Sequence, residues 1–135
     1  MCIRDSHQDI ARAGRPGHDL GENDRSATGF LPPAEFEQMA DAFFANPGES
    51  VRGWERAVDA QARIVAAVRE VAAEEDGTGD ILVSAHGAVG ALLRGSLLGA
   101  PISRALDQPG GGCWFALEVS RWRLLTREWQ ILPSA

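Results

Sequence analysis

The stretch 80–98 constrains the fold more than any other part of the chain. Asp80-Ile81-Leu82-Val83-Ser84-Ala85 is a short, nearly continuous apolar run, and His86-Gly87 ends it. A run of this length bounded by turns suits a strand over 81–85 buried on both faces, as in a parallel sheet. The segment 88–98 that follows is apolar and long enough for a helix, with Gly99 and Pro101 supplying its stop. The order is therefore strand, tight turn, helix. It places His86 at the carboxyl end of a strand, the edge at which open α/β sheets bind ligands.

The flanking segments supply the rest of a compact unit. Pro32-Pro33 opens a helix, because proline is tolerated in the first turn. Phe36, Met39, Ala40, Phe43 and Phe44 then fall on one helical face, a pattern that reads as core packing, and Asn46-Pro47-Gly48 stops it. A longer helix is predicted over 54–75, with Ala57, Gln61, Ile64, Val65, Val68, Val71 and Ala72 on one face and Asp59–Arg63 as an exposed i, i+4 pair. Residues 7–33 are polar and rich in Gly, Asp, Asn and Arg, and read as loop, as does 76–79. After a loop ending in Gly110-Gly111-Gly112, the segments 114–119 and 122–131 read as strands of a terminal hairpin joined at Ser120-Arg121. There is no internal repeat.

Composition narrows the function classes. At 135 residues with 44% hydrophobic content, the chain is about one domain and can bury a core. Every basic residue is arginine, a bias that suits high-GC coding, and the net charge of -6 comes without a basic stripe. Nucleic-acid binding needs clustered cations, so that class is set aside. No apolar run approaches the roughly 20 residues that span a bilayer. Cys2 and Cys113 form neither a disulfide framework nor a metal spacing, which makes a cytoplasmic location the default.

His86 leads the candidate residues. Imidazole titrates near neutrality, Gly87 lets backbone approach a ligand, and a following helix offers N–H groups and a positive dipole end to an anion. The combination suits a phosphate; the plainer alternative is a histidine satisfied by a carbonyl. Gly87, Gly90 and Gly95 do not have the dinucleotide-binding spacing, and Ser84 lacks the flanks of a nucleophile elbow. His7, His18 and His86 are too scattered to form a metal motif. Glu22, within Leu20-Gly21-Glu22-Asn23-Asp24-Arg25, is the second candidate, although such a polar run is usually a solvated loop. Arg25 could clamp an anion and Gly110-Gly111-Gly112 could cradle one, with flexible connection the safer reading of the glycines.

Taken in order, the segment 20–30, then Gly48-Glu49-Ser50, the helix after it, and 81–87 ending in Ala85-His86-Gly87 resemble consecutive landmarks of the histidine phosphatase (phosphoglycerate-mutase-like) superfamily. The resemblance implies an α/β, three-layer sandwich with a mostly parallel central sheet. It implies phosphomonoester hydrolysis through a phosphohistidine on a small phosphorylated substrate, without metal or cofactor. A phosphatase fits better than a mutase, because no pocket for a bisphosphorylated sugar acid is identifiable. Carried over residue by residue, His86 binds the transferring phosphoryl group, assisted by the Gly87 and Ala88 amides. Glu22 protonates the leaving oxygen and then takes a proton from water. Arg25 lies where substrate contacts are common.

The sequence also departs from that pattern. The family's nucleophile sits in Arg-His-Gly near the N-terminus, and no such tripeptide occurs here; His7 precedes Gln8 and His18 precedes Asp19. No first strand, first helix or second arginine is recognisable before Leu20. Residues 1–6, Met-Cys-Ile-Arg-Asp-Ser, resemble translated sequencing adapter and read as a non-native leader. Residues 7–135 then read as a partial domain, incomplete at its N-terminus and inactive alone, so an export signal further upstream stays open. A non-catalytic phosphoryl-ligand or protein-binding module is the alternative.

Overall fold

The computed structural model describes the backbone of residues 10–12 and residues 19–74 and 80–133 in full. His7, His18, residues 1–6 expected to be a leader and residues 76–79 expected to be a loop lie outside the described residues. Three helices carry the core: α1 (Pro33–Ala45), α2 (Ala57–Glu74) and α3 (Gly87–Leu98). Pro33 occupies the start of α1 as its fixed φ allows, and Met39, Ala40, Phe43 and Phe44 are buried. Helix α2 starts three residues later than the periodicity suggested, because Val51–Gly53 forms a separate 3₁₀ turn. Its buried face is Ala57, Ala60, Ile64, Ala67, Val68 and Val71. Small residues there let α2 pack closely on α3, and Gln61 Nε2 donates to the Leu92 carbonyl at 2.9 Å across that contact.

Strand β2 (Asp80–Leu82) precedes α3 and pairs in parallel with β1 (Ile10–Arg12), with Ile10 opposite Asp80 and Arg12 opposite Leu82. Two expectations are corrected here. The polar stretch read as loop contains β1, three residues whose strand state comes from pairing with β2 rather than from any local pattern. The run read as a strand over 81–85 forms ladder bonds only to Leu82, and it alternates instead of being buried on both faces. Ile81 and Val83 are buried, whereas Leu82 is 45% exposed and Ser84 is exposed, because no described element covers that side. The parallel ladder among the described residues is this one pair.

The C-terminal segment is a hairpin, but an interrupted one. Strands β3 (Cys113–Trp114) and β6 (Gln130–Ile131) pair antiparallel, and β4 (Leu117–Glu118) pairs with β5 (Arg123–Leu124). Between them the register shifts, and Thr126 Oγ1 takes the Ala116 N–H that a ladder carbonyl would otherwise accept. The tip closes with the Trp122 N–H on the Val119 carbonyl at 3.2 Å, Trp122 itself lying at φ 51. Arg69 of α2 stacks over the Trp122 ring at 4.0 Å, and Phe115, fully buried, meets Trp129 edge-on at 5.1 Å. At its other end Arg94 of α3 donates to the Arg127 carbonyl at 2.9 Å, so the hairpin is fastened to the helices at both ends. No helix among the described residues is long and apolar enough to cross a membrane.

Candidate functional site

Glu22 and the turn after β2 meet. The loop 19–31 brings the Glu22 carboxylate onto the first turn of α3, where Oε2 accepts the Ala88 N–H and Oε1 the Val89 N–H, each at 3.0 Å. Oε1 also accepts the N–H of Asn23 at 3.2 Å, and Arg25 Nη2 lies 3.4 Å from Oε2. A helix N-terminus leaves its first N–H groups without intrahelical partners, and it favours negative charge. His86 stands at the N-cap with extended φ/ψ and makes no capping bond through its side chain. The carboxylate of Glu22 satisfies those amides in its place.

Arg63, on α2, seats the loop. Its guanidinium donates to the carbonyls of Asp19, Gly21 and Glu22 at 3.1, 2.8 and 3.2 Å. It also forms a two-pronged pair with Glu55 at 3.0 and 2.9 Å. Glu55 returns to the loop, accepting the Asp24 N–H at 3.1 Å through Oε1. The Arg63 hydrogen bond, opposed by burial and helped by the Asp24 amide, holds the Glu55 carboxyl below its ordinary range. This overturns the expected Asp59–Arg63 pair. Asp59 is taken by Arg56 at 2.8 Å on the exposed face, whereas Arg63 turns toward the loop. Three free carbonyls and a carboxylate are the stronger attraction for a planar five-donor group.

A second anchor lies at the far end of the loop. Trp54, 2% exposed, donates through Nε1 to Thr28 Oγ1 at 2.8 Å and packs against Phe36 and Phe43. Arg25 lies over Phe36 and Trp54 at 4.9 and 5.6 Å from the ring centres. Gly53 makes this closeness possible: it has φ 84, and a Cβ there would stand 2.7 Å from that of Ala27.

A cleft of about 360 Å³ opens beside the α3 N-terminus, lined in part by Glu22, Asn23, Arg25, Gly87 and Ala88. Its other wall is α1 and the segment after α3, where Arg104 bonds Asp41 at 2.6 Å and Glu37 at 2.5 Å. Gly110 and Gly111 line it as well, so the glycine run is part of the wall and not merely a connection. Gln108 covers Gly87 closely enough that a Cβ there would stand 2.6 Å from its Nε2. Asp107, another lining residue, has its carboxyl pushed up, chiefly by burial. His86 is exposed at the cleft's edge in sequence, one residue before Gly87, and its side chain is not part of the lining.

Of the five sequence candidates, Glu22, Arg25, Gly87 and Ala88 line the cleft, whereas His86 stands just before them at the α3 N-cap with its side chain outside the lining. Arg63, Glu55, Asn23, Asp107 and Gln108 were missed. Nothing local singles them out: Arg63 reaches the loop across 44 residues, and helical spacing pointed it to Asp59 instead.

Helices packed beside a parallel strand pair, with the cleft at the strand's carboxyl end, define an α/β protein. The family model of the histidine phosphatase superfamily (branch 1) matches residues 31–131, and the chain belongs to that superfamily. His86, Gly87 and Ala88 lie within the matched span, whereas Glu22 and Arg25 precede it. A comparison with curated proteins finds no match. Members of the superfamily are phosphatases and mutases.

Proposed function

We propose that this cleft is the phosphoryl-binding part of a phosphomonoesterase site, completed in the parent protein by a nucleophilic histidine that this sequence does not contain. His86 stabilises negative charge on the transferring phosphoryl group. The Gly87 and Ala88 amides and Arg25 hold its oxygens, and Glu22 delivers a proton to the leaving oxygen. In the complete protein the β1–β2 pair belongs to a three-layer sandwich with a mostly parallel sheet. Small phosphorylated compounds are the substrate class.

The observation that carries this reading is the direct hydrogen bond from the Ala88 amide to Glu22. It joins the two candidate regions across 66 residues at a helix N-terminus, an end that suits an anion. Phosphatase chemistry through a phosphohistidine needs no metal, since amides and arginines stabilise the equatorial oxygens. The lack of an Arg-His-Gly tripeptide favours a second reading, a phosphoryl-ligand module without turnover.

Kinetics of a longer reading frame containing an upstream Arg-His-Gly separates the roles. His86→Ala is expected to lower kcat/KM about a hundredfold on every ester, the equivalent of about 3 kcal/mol. Glu22→Gln is expected to slow alkyl phosphates and spare p-nitrophenyl phosphate, whose leaving group needs little protonation. Equal losses of Glu22→Gln on both esters would make Glu22 a binding or structural residue. A longer frame without turnover would favour the second reading.

A further inference from the structure

The seat at the α3 N-terminus is already filled by a side chain of the protein itself. Both oxygens of Glu22 are bonded to the consecutive amides of Ala88 and Val89, as a bound phosphate or carboxylate would be. The same carboxylate neutralises Arg25. With Glu22 in place, the lining carries three carboxyl groups, Glu22, Glu37 and Asp107, against two guanidiniums, Arg25 and Arg104. Arg104 is committed to Glu37 and Asp41. A free oxyanion approaching this cleft finds the Ala88 and Val89 amides already taken and both lining guanidiniums already paired with carboxylates.

A second observation marks the seat as built for a ligand. Asn23, next to Glu22, is 4% exposed and lines the cleft, and its Nδ2 has no hydrogen-bond partner. A buried amide donor left unmade costs free energy, so it is expected to have a partner in some state of the molecule. Arg25 keeps its place over Phe36 and Trp54 independently of Glu22. Removing the carboxylate alone would leave the Ala88, Val89 and Asn23 backbone N–H groups and a guanidinium around one vacancy.

We infer that Glu22 is an internal competitor for the oxyanion seat, and that a phosphoryl group enters only by displacing its carboxylate from the Ala88 and Val89 amides. This rests on the reading of the cleft as a phosphoryl site and adds its regulation. The resting site is self-capped, and binding and release of the acid are one event. A ligand that must first open a closed state binds with its intrinsic affinity reduced by the open fraction.

The sign of a mutational effect tests this. Inorganic phosphate is titrated into the chain and into Glu22→Gln and Glu22→Asp, with binding followed by amide chemical shifts. Aspartate keeps the charge but is one methylene too short to span both amides. Competition therefore predicts that both variants bind phosphate more tightly than the parent sequence, Glu22→Gln by on the order of tenfold. Simple charge relief predicts a gain for Glu22→Gln alone, and that result would overturn the inference while leaving the phosphoryl site standing. Binding to the unsubstituted chain with the Ala88 and Val89 amides unmoved would overturn it too. No binding by any of the three, each giving a dispersed folded spectrum, would overturn the phosphoryl site itself.

Discussion

Arg63 and Glu55 show how much the 19–24 segment depends on residues outside the cleft lining. A guanidinium that is 18% exposed, holding three loop carbonyls and a carboxylate, is hard to replace with water. Arg63→Ala is expected to cost about 2 kcal/mol, the scale of hydrogen bonds to a charged group, and to free the 19–24 segment. Chemical denaturation with amide exchange at Glu22 and Asn23 checks both. The pH dependence has a definite sign. The folded pKa of Glu55 lies below its ordinary 4.5, so the lock contributes stability above that value and loses it as pH falls through the folded pKa. Acidification through that depressed folded pKa should therefore release the loop. Asp107 has the opposite sign. Burial raises its pKa above 3.8, so stability is lost as pH rises through the folded pKa. Asp107→Asn is expected to raise the melting temperature at pH 7 and to have no effect at pH 3, where the wild-type group is protonated.

Elements in this protein are legible where their pattern is local. The α1 stripe and the α3 segment with its glycine stop follow from spacing and composition, and α3 ends as read, with Gly99 in the left-handed region at φ 66. The placement of His86 and Gly87 between a strand and a helix start was readable for the same reason, because that junction is a local signal. Strand β1 was not readable, since three residues in a polar stretch acquire their state from β2. The hairpin was visible as two aromatic and branched runs, but not its break, which depends on Thr126 facing Ala116. Phe115 ties that hairpin to the core. Phe115→Ala is expected to cost about 3–5 kcal/mol, with the loss of the Trp129 contact included. Gly53→Ala should act on the loop instead, through its positive φ and the 2.7 Å approach to Ala27. Thermal melts rank the two, and amide shifts in 26–28 identify the second.

For the molecule as a whole, the proposed reading gives the chain a phosphoryl-binding cleft that needs a nucleophile from outside this sequence. Covalent phosphoryl transfer through histidine requires a nucleophile, and no Arg-His-Gly supplies one. The chain is therefore expected to give no turnover of p-nitrophenyl phosphate above buffer. Robust turnover that vanishes in His86→Ala would mean that another nucleophile exists and that the roles assigned here are wrong.

The central claim is that Glu22, Arg25 and the turn 86–88 form one phosphoryl site, and it is tested most directly by mapping where inorganic phosphate acts on this chain. Titration followed by backbone and His86 ring resonances is expected to shift His86, Gly87, Ala88, Asn23 and the Arg25 guanidinium along a single binding curve. The hairpin tip near Trp122 should stay still. Phosphate that shifts residues elsewhere and leaves Gly87 and Ala88 unmoved would contradict the claim.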